Sequence, residues 1–498
     1  MNEPQHRPRT LYSHWMRFPL VVVILLLVAF VSWRYTVHRR IEAKLDDIRE
    51  EGYPVTLVDL EEWYPDSKDG NAATIYWQAF TKYTQSVYMT SLSHEPKVQL
   101  LTPEGPINLQ SGSRFGEETS APGRGRARAW VPSLPARYEK LPLHGEPISD
   151  EAKHIIAEWL KLNSQSLGHL HLAASIRGCR YPIVLADGVN TELPHLRRLW
   201  DCSRLIQVEA LYHADNLDAE KAVGCVVTSL AIGRSLANEP FPESQFFHSF
   251  LTCIALEALQ SVLSSVAPDN FQINQLQDAC VGTESSNAWF RTMQCERARM
   301  NYVYSDAPLM VFDQLEGQYP ALQWYFFFGV YRTAGLLQTE HLWALDYLGR
   351  VADAMRQPYP QRLKAAAEID AQYAQETRGK MLARMYEGFG TWPKALDRVR
   401  FEGKAVALRR IAMTALAIER WRLRKGELPQ KLDDLVTEFL ESIPPDPFDG
   451  LPLRYKKLTK GYVVYSVGAD GIDNGGFWQN WNGARPMLGR DITFTVER

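Results

Sequence analysis

The segment YSVGADGIDNGG, Tyr465–Gly476, places two aspartates and an asparagine among glycines directly after a strand-like run. Carboxylate and amide oxygens are the ligands that hard cations such as Ca²⁺ prefer. The same side chains also accept hydrogen bonds from their own backbone in glycine-rich turns, and a carboxylate can serve as a general acid or base. The segment therefore raises three alternatives: a cation site, a turn and a catalytic carboxylate.

The spacing within this segment differs from that of an EF-hand loop. Asp470 and Asn474 fit the first and fifth positions of such a loop. Ile472 and Trp481 then occupy the third and twelfth positions, where oxygen ligands are required. A cation site here would therefore need a different set of ligands.

Other chemical signals in the chain are weak. The sequence contains no HExxH, GxSxG, Walker A or Rossmann motif. His169 and His171 are two positions apart in GHLHLAA, which puts them on different faces of a helix, so we expect core or surface histidines rather than a shared metal site. None of the six cysteines forms a C-x-x-C pair, which argues against a zinc ribbon. The pattern favours a protein without enzymatic activity.

Charge and hydropathy indicate a membrane anchor. The formal net charge of the 498 residues is −3, so no nucleic-acid partner is predicted. Phe18–Trp33 carries no charged residue and is flanked by Trp15, Arg17 and Arg34, which suit the two membrane interfaces. The rival interpretation is a cleaved signal peptide, but no pair of small residues typical of a cleavage site follows the apolar run.

The elements that would position the acidic segment belong to a mainly α chain. We predict an N-terminal transmembrane helix, an irregular helical array, and a small C-terminal α+β domain with an antiparallel sheet. The predicted segments are a cytoplasmic tail (1–17), the anchor (18–36), a stalk and first helices (37–92), a flexible excursion rich in Ser, Pro, Gly and Arg (93–147), the helical domain (148–400) and the C-terminal domain (401–498).

Caps and apolar periodicity predict individual helices. Asn71 can cap a helix that runs to Tyr88, and Ser149 opens a series of helices. Leu196–Ala214 and Asp218–Ala237 predict an αα-hairpin. No 34-residue repeat is present, so an irregular array is favoured over a solenoid.

The last hundred residues change from helix to strand. Gly403–Gly426 predicts a long helix, and Leu428–Leu440 predicts a second one. Leu453–Lys457, Gly461–Val467 and Asp491–Val496 predict three short strands. The acidic segment lies between the second and third of these strands.

The order of these C-terminal motifs carries a family resemblance. A long Ala-rich helix, KGELPQKLDDL, IPPDPFDGLPLRY, GYVVYSVGADGIDNGG and a final strand beginning DI follow one another over roughly residues 403–496. This resembles the C-terminal portion of the major pseudopilin of type II secretion systems, in which an acidic loop beside a small sheet binds calcium. The resemblance implies that Asp470 and Asp491 are carboxylate ligands of calcium, with Asp473 and Asn474 close enough to contribute.

The chain also departs from that family. A pseudopilin joins its anchor directly to the long helix, whereas here the whole helical array separates the two. The segment RFPLVVV lacks both the Gly and the Glu of a prepilin cleavage motif, which argues against a filament subunit. The patterns NAATIYWQAF, CRYPI and AIERWRLRKGELP further resemble uncharacterised single-anchor envelope proteins of planctomycete-like bacteria, for which no activity is implied.

Together these features predict a membrane-anchored envelope scaffold whose C-terminal domain is stabilised by a bound calcium ion. We expect it in a bacterial inner membrane, held through residues 18–36, with the chain from about residue 37 outside the cytoplasm and other envelope or secretion proteins as partners. Two alternatives stay open. One is an accessory component of a type II secretion or pilus-like machine, and the other is a cell-envelope enzyme whose active site cannot be identified from motifs.

Overall fold

The computed structural model describes residues 11–64, 66–67, 70–84, 99–102, 105–108, 147–283, 287–305, 329–378, 380, 394–476 and 491–498. The predicted tail before residue 11 and most of the predicted excursion over residues 93–147 lie outside these ranges. The statements that follow concern the described residues.

Helices dominate the described chain, which confirms the mainly α prediction. In chain order the elements are α1 (Leu11–Glu50), α2 (Leu57–Trp63), α3 (Ala72–Lys82), β1 (Gln99–Thr102), β2 (Gly105–Asn108), α4 (Asp150–Leu162), α5 (Ser164–Ala174), a 3-10 turn (Leu185–Asn190), α6 (Pro194–Asp215), α7 (Ala219–Arg234), α8 (Pro242–Ser265), α9 (Asn270–Gly282), α10 (Ala288–Ser305), α11 (Leu336–Arg356), α12 (Gln361–Glu376), α13 (Ala395–Lys425), a 3-10 turn (Leu432–Leu435), β3 (Arg454–Lys457), β4 (Tyr462–Ser466) and β5 (Ile492–Val496).

Helix α1 passes through two different environments. The apolar side chains from Leu20 to Val31 are exposed. Further along, one face of the same helix is buried against α11 in a cluster formed by Val37, Ile41, Leu45, Ile48, Val55 and Leu345. The intervals of three and four residues place the α1 members on one helical stripe. The second half of α1 therefore belongs to the core of the folded domain.

Two described helices are long and apolar enough to cross a membrane, Pro19–Glu50 within α1 and Pro242–Ser265, which is α8. Helix α8 is mostly buried and packs against α6, α7 and α13, so it is a core helix. The apolar half of α1 is the membrane-span candidate that the sequence predicts.

The helical array contains the predicted αα-hairpin. Helices α6 and α7 are joined by a short turn in which Leu217 adopts a positive φ of 59°. Asp218 caps α7 through the backbone N–H of Lys221. Helices α5 and α8 pack against this hairpin, which agrees with the predicted irregular helical array.

Helix α3 is shorter than the sequence predicts. Asn71 caps it through the backbone N–H of Ala73, as expected, but the helix ends at Lys82 instead of Tyr88. The backbone N–H of Thr84 donates to Asn163 Oδ1 at 2.8 Å. This contact with the end of α4 draws the chain away from the helical path.

The C-terminal sheet has the predicted strands in the order β3-β4-β5, all antiparallel. The central strand β4 is buried along its whole length and lies on α13. Helix α13 begins at Ala395, earlier than the predicted Gly403, and ends at Gly426, whose φ of 78° forms the expected left-handed C-cap.

The predicted helix over Leu428–Leu440 is wrong. Only Leu432–Leu435 forms a 3-10 turn, and Thr437 adopts a positive φ of 79°. The turn is sufficient to bury Leu432 and Leu435 in the main core. The segment thus buries two leucines of its apolar stripe without forming the helix that the periodicity predicts.

The sheet and the helical array share one core. A single cluster of buried side chains extends from Leu205 in α6 to Phe494 in β5. The backbone N–H of Thr495 donates to Gln260 Oε1 of α8 at 3.0 Å, and Arg498 forms an ion pair with the buried Glu419 of α13. The C-terminal end of the chain is thus bonded to two helices outside the sheet, α8 and α13.

Candidate functional site at the C-terminal acidic loop

The base of the acidic loop is held by Asp446, whose side chain is completely buried. Asp446 Oδ1 accepts hydrogen bonds from the Ser466 hydroxyl at 2.8 Å and from the backbone N–H of Phe448 at 3.0 Å. Asp446 Oδ2 accepts from the backbone N–H of Val467 at 2.9 Å and from Arg454 Nη1 at 2.8 Å. Because Ser466 and Val467 lead into the loop, this carboxylate fixes where the loop leaves β4.

Sequence reasoning missed Asp446. The segment IPPDPFDGLP contributes to the family resemblance as a whole, and no role for Asp446 is predicted from it. A buried charge requires a partner and several hydrogen bonds, and those partners come from β3 and from the end of β4. The only local signal is an acidic residue between two prolines.

Two of the predicted ligands, Asp470 and Asp473, act as turn-forming residues. Asp470 Oδ1 accepts from the backbone N–H of Ile472 at 3.1 Å, and Asp473 Oδ1 accepts from that of Gly475 at 2.8 Å. Each carboxylate therefore caps the amide two residues ahead, the usual Asx-turn geometry. Gly475 follows with a φ of 79°, which a residue with a side chain adopts only with strain.

The third predicted ligand, Asp491, connects the loop to β5. Its Oδ1 accepts from the backbone N–H of Asn474 at 3.1 Å, and its Oδ2 accepts from that of Gly476 at 2.7 Å. The structure thus brings Asp491 to the same loop as Asp470 and Asp473, although fourteen intervening residues, 477–490, lie outside the described chain. The loop is closed by hydrogen bonds to this one carboxylate.

Positive and neutral donors surround the acidic loop. Lys456 Nζ donates to the carbonyl of Gly475 at 2.7 Å. Burial of the ring, and after it the neighbouring Asp473 carboxylate, raise the pKa of Tyr465 to about 12. The phenol therefore stays protonated at neutral pH and is unsuited to act as a base.

The three aspartates are not packed as tightly as the ligands of an assembled metal site. In the described part of the chain, one group of His, Cys, Asp and Glu side chains has all its ligand atoms within 4.8 Å of one another, and that group is His171, Glu209 and Cys225. The sequence did not reveal it, because its members come from three different helices. His169, the neighbour considered with His171, instead hydrogen-bonds the carbonyl of Gln165.

A charged cleft of about 510 Å³ lies beside the buried half of α1. It is lined mainly by Lys44, Glu51, Phe290, Arg297, Trp343, Asp346, Arg350, Asp353, Arg356 and Glu376. Partial burial opposes ionisation of Glu376, but hydrogen bonds from Arg350 and Trp343 outweigh it and hold the pKa of Glu376 below its ordinary value. Lys44 and Asp346 form a second ion pair at 3.0 Å. These two ion pairs place Glu376 and Asp346 directly beside basic side chains of the cleft.

The C-terminal end of the apolar run in α1 packs against the folded domain. Arg34 Nη1 donates to the backbone carbonyl of Thr333 at 3.1 Å and to that of Arg332 at 3.4 Å. The Trp33 ring lies so close to Gly335 that a Cβ there would sit 2.7 Å from it. The residues that end the apolar run therefore contact the segment leading into α11.

Compared with known proteins, the chain matches no family model, no curated protein and no solved structure. The likeness to pseudopilins therefore stays a prediction carried by the sequence motifs.

Proposed function

We propose that this protein is a membrane-anchored envelope scaffold whose helical domain presents a binding surface close to the bilayer. The observation that carries the proposal is the continuity of α1, which runs unbroken from exposed apolar residues into the core stripe of Val37 and Ile41. The contacts of Trp33 and Arg34 with the segment before α11 support retention of the apolar helix. Such an anchor holds the folded domain at a fixed distance from the bilayer, because the helix that spans the membrane also packs in the core of that domain.

The proposed location is a bacterial inner membrane, with residues 18–36 in the bilayer and the large domain outside the cytoplasm. Protease added to intact spheroplasts should then digest the large domain, and mass spectrometry of the purified protein should find peptides N-terminal to Phe18. Complete protection of the domain, with the membrane otherwise sealed, would reverse the proposed orientation. A mature chain beginning near Tyr35 would show cleavage and refute the anchor.

The scaffold and the secretion-accessory hypotheses differ in their partners. Chemical crosslinking in membranes, followed by purification of the tagged full chain, should recover envelope proteins bound to the helical domain. Recovery of true pseudopilins as the main crosslinked species would favour the accessory role in a secretion machine. The charged cleft gathers Glu51, Asp346, Asp353 and Glu376, which is the convergence of carboxylates that the cell-envelope enzyme hypothesis requires, so that hypothesis stays the other alternative.

We also propose that the acidic loop binds calcium through Asp470, Asp473 and Asp491. Support comes from the gathering of all three on one loop and from the lone pairs that a capping carboxylate oxygen keeps available for a cation. A bound cation would add to the link that Asp491 already makes between the loop and β5. The hydrogen-bonded turn without calcium is the alternative.

Thermal unfolding of the full chain in calcium and in chelator tests this part of the proposal. Binding to the folded state alone stabilises it by about 2.7 kcal/mol when free calcium is a hundredfold above the dissociation constant. Asp470→Ala should abolish the calcium-dependent shift, Asp473→Ala should reduce it, and the exposed control Asp278→Ala should preserve it. Magnesium should substitute poorly, because it demands a small octahedral shell. Identical melting temperatures in calcium and chelator would leave the turn as the role of these residues.

A further inference from the structure

Three helices bring a histidine, a glutamate and a cysteine together on the side of the helical domain. His171 comes from α5, Glu209 from α6 and Cys225 from α7, and their ligand atoms all lie within 4.8 Å of one another. We refer to these three residues as the His–Glu–Cys cluster. The αα-hairpin of α6 and α7 sets Glu209 beside Cys225, and α5 packs on α7 to add His171.

Distances in the cluster are close to those of a tetrahedral zinc shell. Glu209 Oε2 lies 2.9 Å from His171 Nε2 and 3.3 Å from Cys225 Sγ. Zinc bonds of about 2.0–2.2 Å to N and O and about 2.3 Å to S place tetrahedral ligands roughly 3.3–3.7 Å apart. For these two pairs the separation would have to grow by less than about 1 Å to reach coordination distances, and the third pair, His171 with Cys225, already lies within 4.8 Å.

The histidine of the cluster already has the outer partner that metal-binding histidines use. His171 Nδ1 lies 2.8 Å from Thr228 Oγ1, one turn further along α7 from Cys225. This contact orients the ring with Nε2 toward Glu209. A hydrogen bond at the second ring nitrogen commonly fixes the tautomer and raises the basicity of a ligating imidazole.

Charge and burial suit a divalent cation with one open coordination position. A thiolate, a carboxylate and a neutral imidazole together carry two negative charges, which balance those of Zn²⁺ in a partly buried site. Cys225 is 2% exposed, whereas the side chain of His171 is 38% exposed. One side of the cluster is therefore closed by the core, while the other faces solvent, as in zinc sites that keep a water as the fourth ligand.

We propose that His171, Glu209 and Cys225 form a zinc site with a fourth position open to water or a small ligand. On binding, Zn²⁺ replaces the thiol proton of Cys225 and the proton that His171 Nε2 shares with Glu209 Oε2. The thiol proton leaves to solvent. The proton of Nε2 is also given up to solvent, and the neutral imidazole carries its one proton at Nδ1, where Thr228 Oγ1 accepts it. The mixture of S, N and O ligands favours zinc or cobalt over calcium and magnesium. This site does not depend on membrane anchoring or on the acidic loop.

Cobalt and zinc titrations of the detergent-solubilised full chain, first stripped with chelator, test the proposal. We expect one Co²⁺ per chain with a thiolate-to-cobalt absorption band, displacement of Co²⁺ by Zn²⁺, and a melting temperature that rises with Zn²⁺. Cys225→Ser should remove the band, whereas Cys202→Ser, which changes another buried free cysteine, should keep it. Absence of the band in the unaltered chain would overturn the proposal, and so would a band that persists in Cys225→Ser.

Two further variants keep the test decisive if Cys225→Ser fails to fold. His171→Asn changes a half-exposed side chain and should abolish stoichiometric Co²⁺ binding while preserving helical circular dichroism. Thr228→Val removes only the outer partner of His171 and should weaken Zn²⁺ binding by about 10–100-fold. Unchanged Zn²⁺ affinity in both folded variants would refute the site.

Discussion

At the scale of single residues, the geometry of the acidic loop depends on a carboxylate outside it. Asp446 is buried yet accepts four hydrogen bonds, one of them from the guanidinium of Arg454. Arg454 also pairs with Asp449, a more exposed carboxylate of the same turn. Partial burial alone would lower the pKa of Arg454, but these carboxylates outweigh it and raise that pKa. The Pro-rich turn, β3 and the start of the loop are thus joined through one buried charge.

Asp446→Asn should therefore cost far more stability than the same change at Asp449. The amide would place a donor against the N–H of Val467 or against Arg454, and breaking a buried pair typically costs about 3–5 kcal/mol. Asp449→Asn leaves the buried carboxylate in place and should cost about 1 kcal/mol. Urea unfolding of the full chain, followed by tryptophan fluorescence, measures both losses. Equal losses would show that Asp446 has no special role.

At the scale of elements, the sequence predicted what local signals determine. Caps and periodicity located the αα-hairpin of α6 and α7, the end of α13 at Gly426 and all three C-terminal strands. The prediction of a helix over Leu428–Leu440 is wrong, because the buried leucines of this segment reach the core from a 3-10 turn. That outcome depends on tertiary packing, which the local sequence does not show. Similarly, the sequence predicted that Asp470 and Asp473 share one loop. No motif near Asp446 indicated that its side chain supports that loop.

The His–Glu–Cys cluster illustrates the same limit for sites. Glu209 and Cys225 lie on the two different helices of a hairpin. Whether their side chains face each other depends on the rotation of each helix about its own axis. His171 belongs to a third helix, so the number of residues between His171 and Cys225 does not indicate that the two side chains meet. A convergence of this kind is set by helix packing, which a single sequence does not determine.

The interface between α10 and α11 should make stability depend on pH. The ring of His341 in α11 stacks on Tyr304 of α10 with centroids 5.2 Å apart. Burial lowers the pKa of His341 to about 4, against about 6.5 in an unfolded chain. The unfolded state therefore takes up the proton first as pH falls. The contribution that His341 makes to the free energy of unfolding is complete above about pH 6.5. It is lost progressively as the pH falls toward 4, by as much as about 3 kcal/mol.

His341→Phe provides the matched comparison, because it keeps an aromatic ring for the stack and removes the titrating group. The free energy of unfolding should fall more steeply between pH 7 and pH 4 in the unaltered protein than in this variant. Other titrating groups contribute equally to both curves, so the difference between them isolates His341. Parallel curves would show that His341 is already protonated or is exposed in the fold.

At the scale of the whole molecule, helix α1, the helical array and the C-terminal sheet are connected through buried side chains. The stripe of α1 packs on α11, and the main core passes without a break from the helical array into β4 and β5. The predicted boundary at residue 401 stays a prediction, but buried side chains are shared across it. The apolar half of α1 is therefore joined to the folded core by a continuous helix and not by a flexible linker.

Removing the apolar segment and removing the whole of α1 should consequently have different effects. A chain of residues 37–498 keeps Val37, Ile41, Leu45 and Ile48 in their contacts with Leu345, and we expect it to be folded and released from the membrane. A chain of residues 51–498 loses all four side chains, each worth about 1.5–3 kcal/mol of burial. That loss is comparable to the whole stability of a typical domain, about 5–15 kcal/mol.

The shorter chain should therefore melt at a much lower temperature or fail to fold, as followed by circular dichroism and gel filtration. Lys44→Ala within the longer chain is the control, since it removes only the half-exposed ion pair with Asp346 and should cost less than about 1 kcal/mol. Equal melting temperatures for the two truncated chains would mean that the stalk is a passive tether. The proposal that α1 couples the bilayer to the folded core would then have to be abandoned, while the anchor itself would still be tested by fractionation.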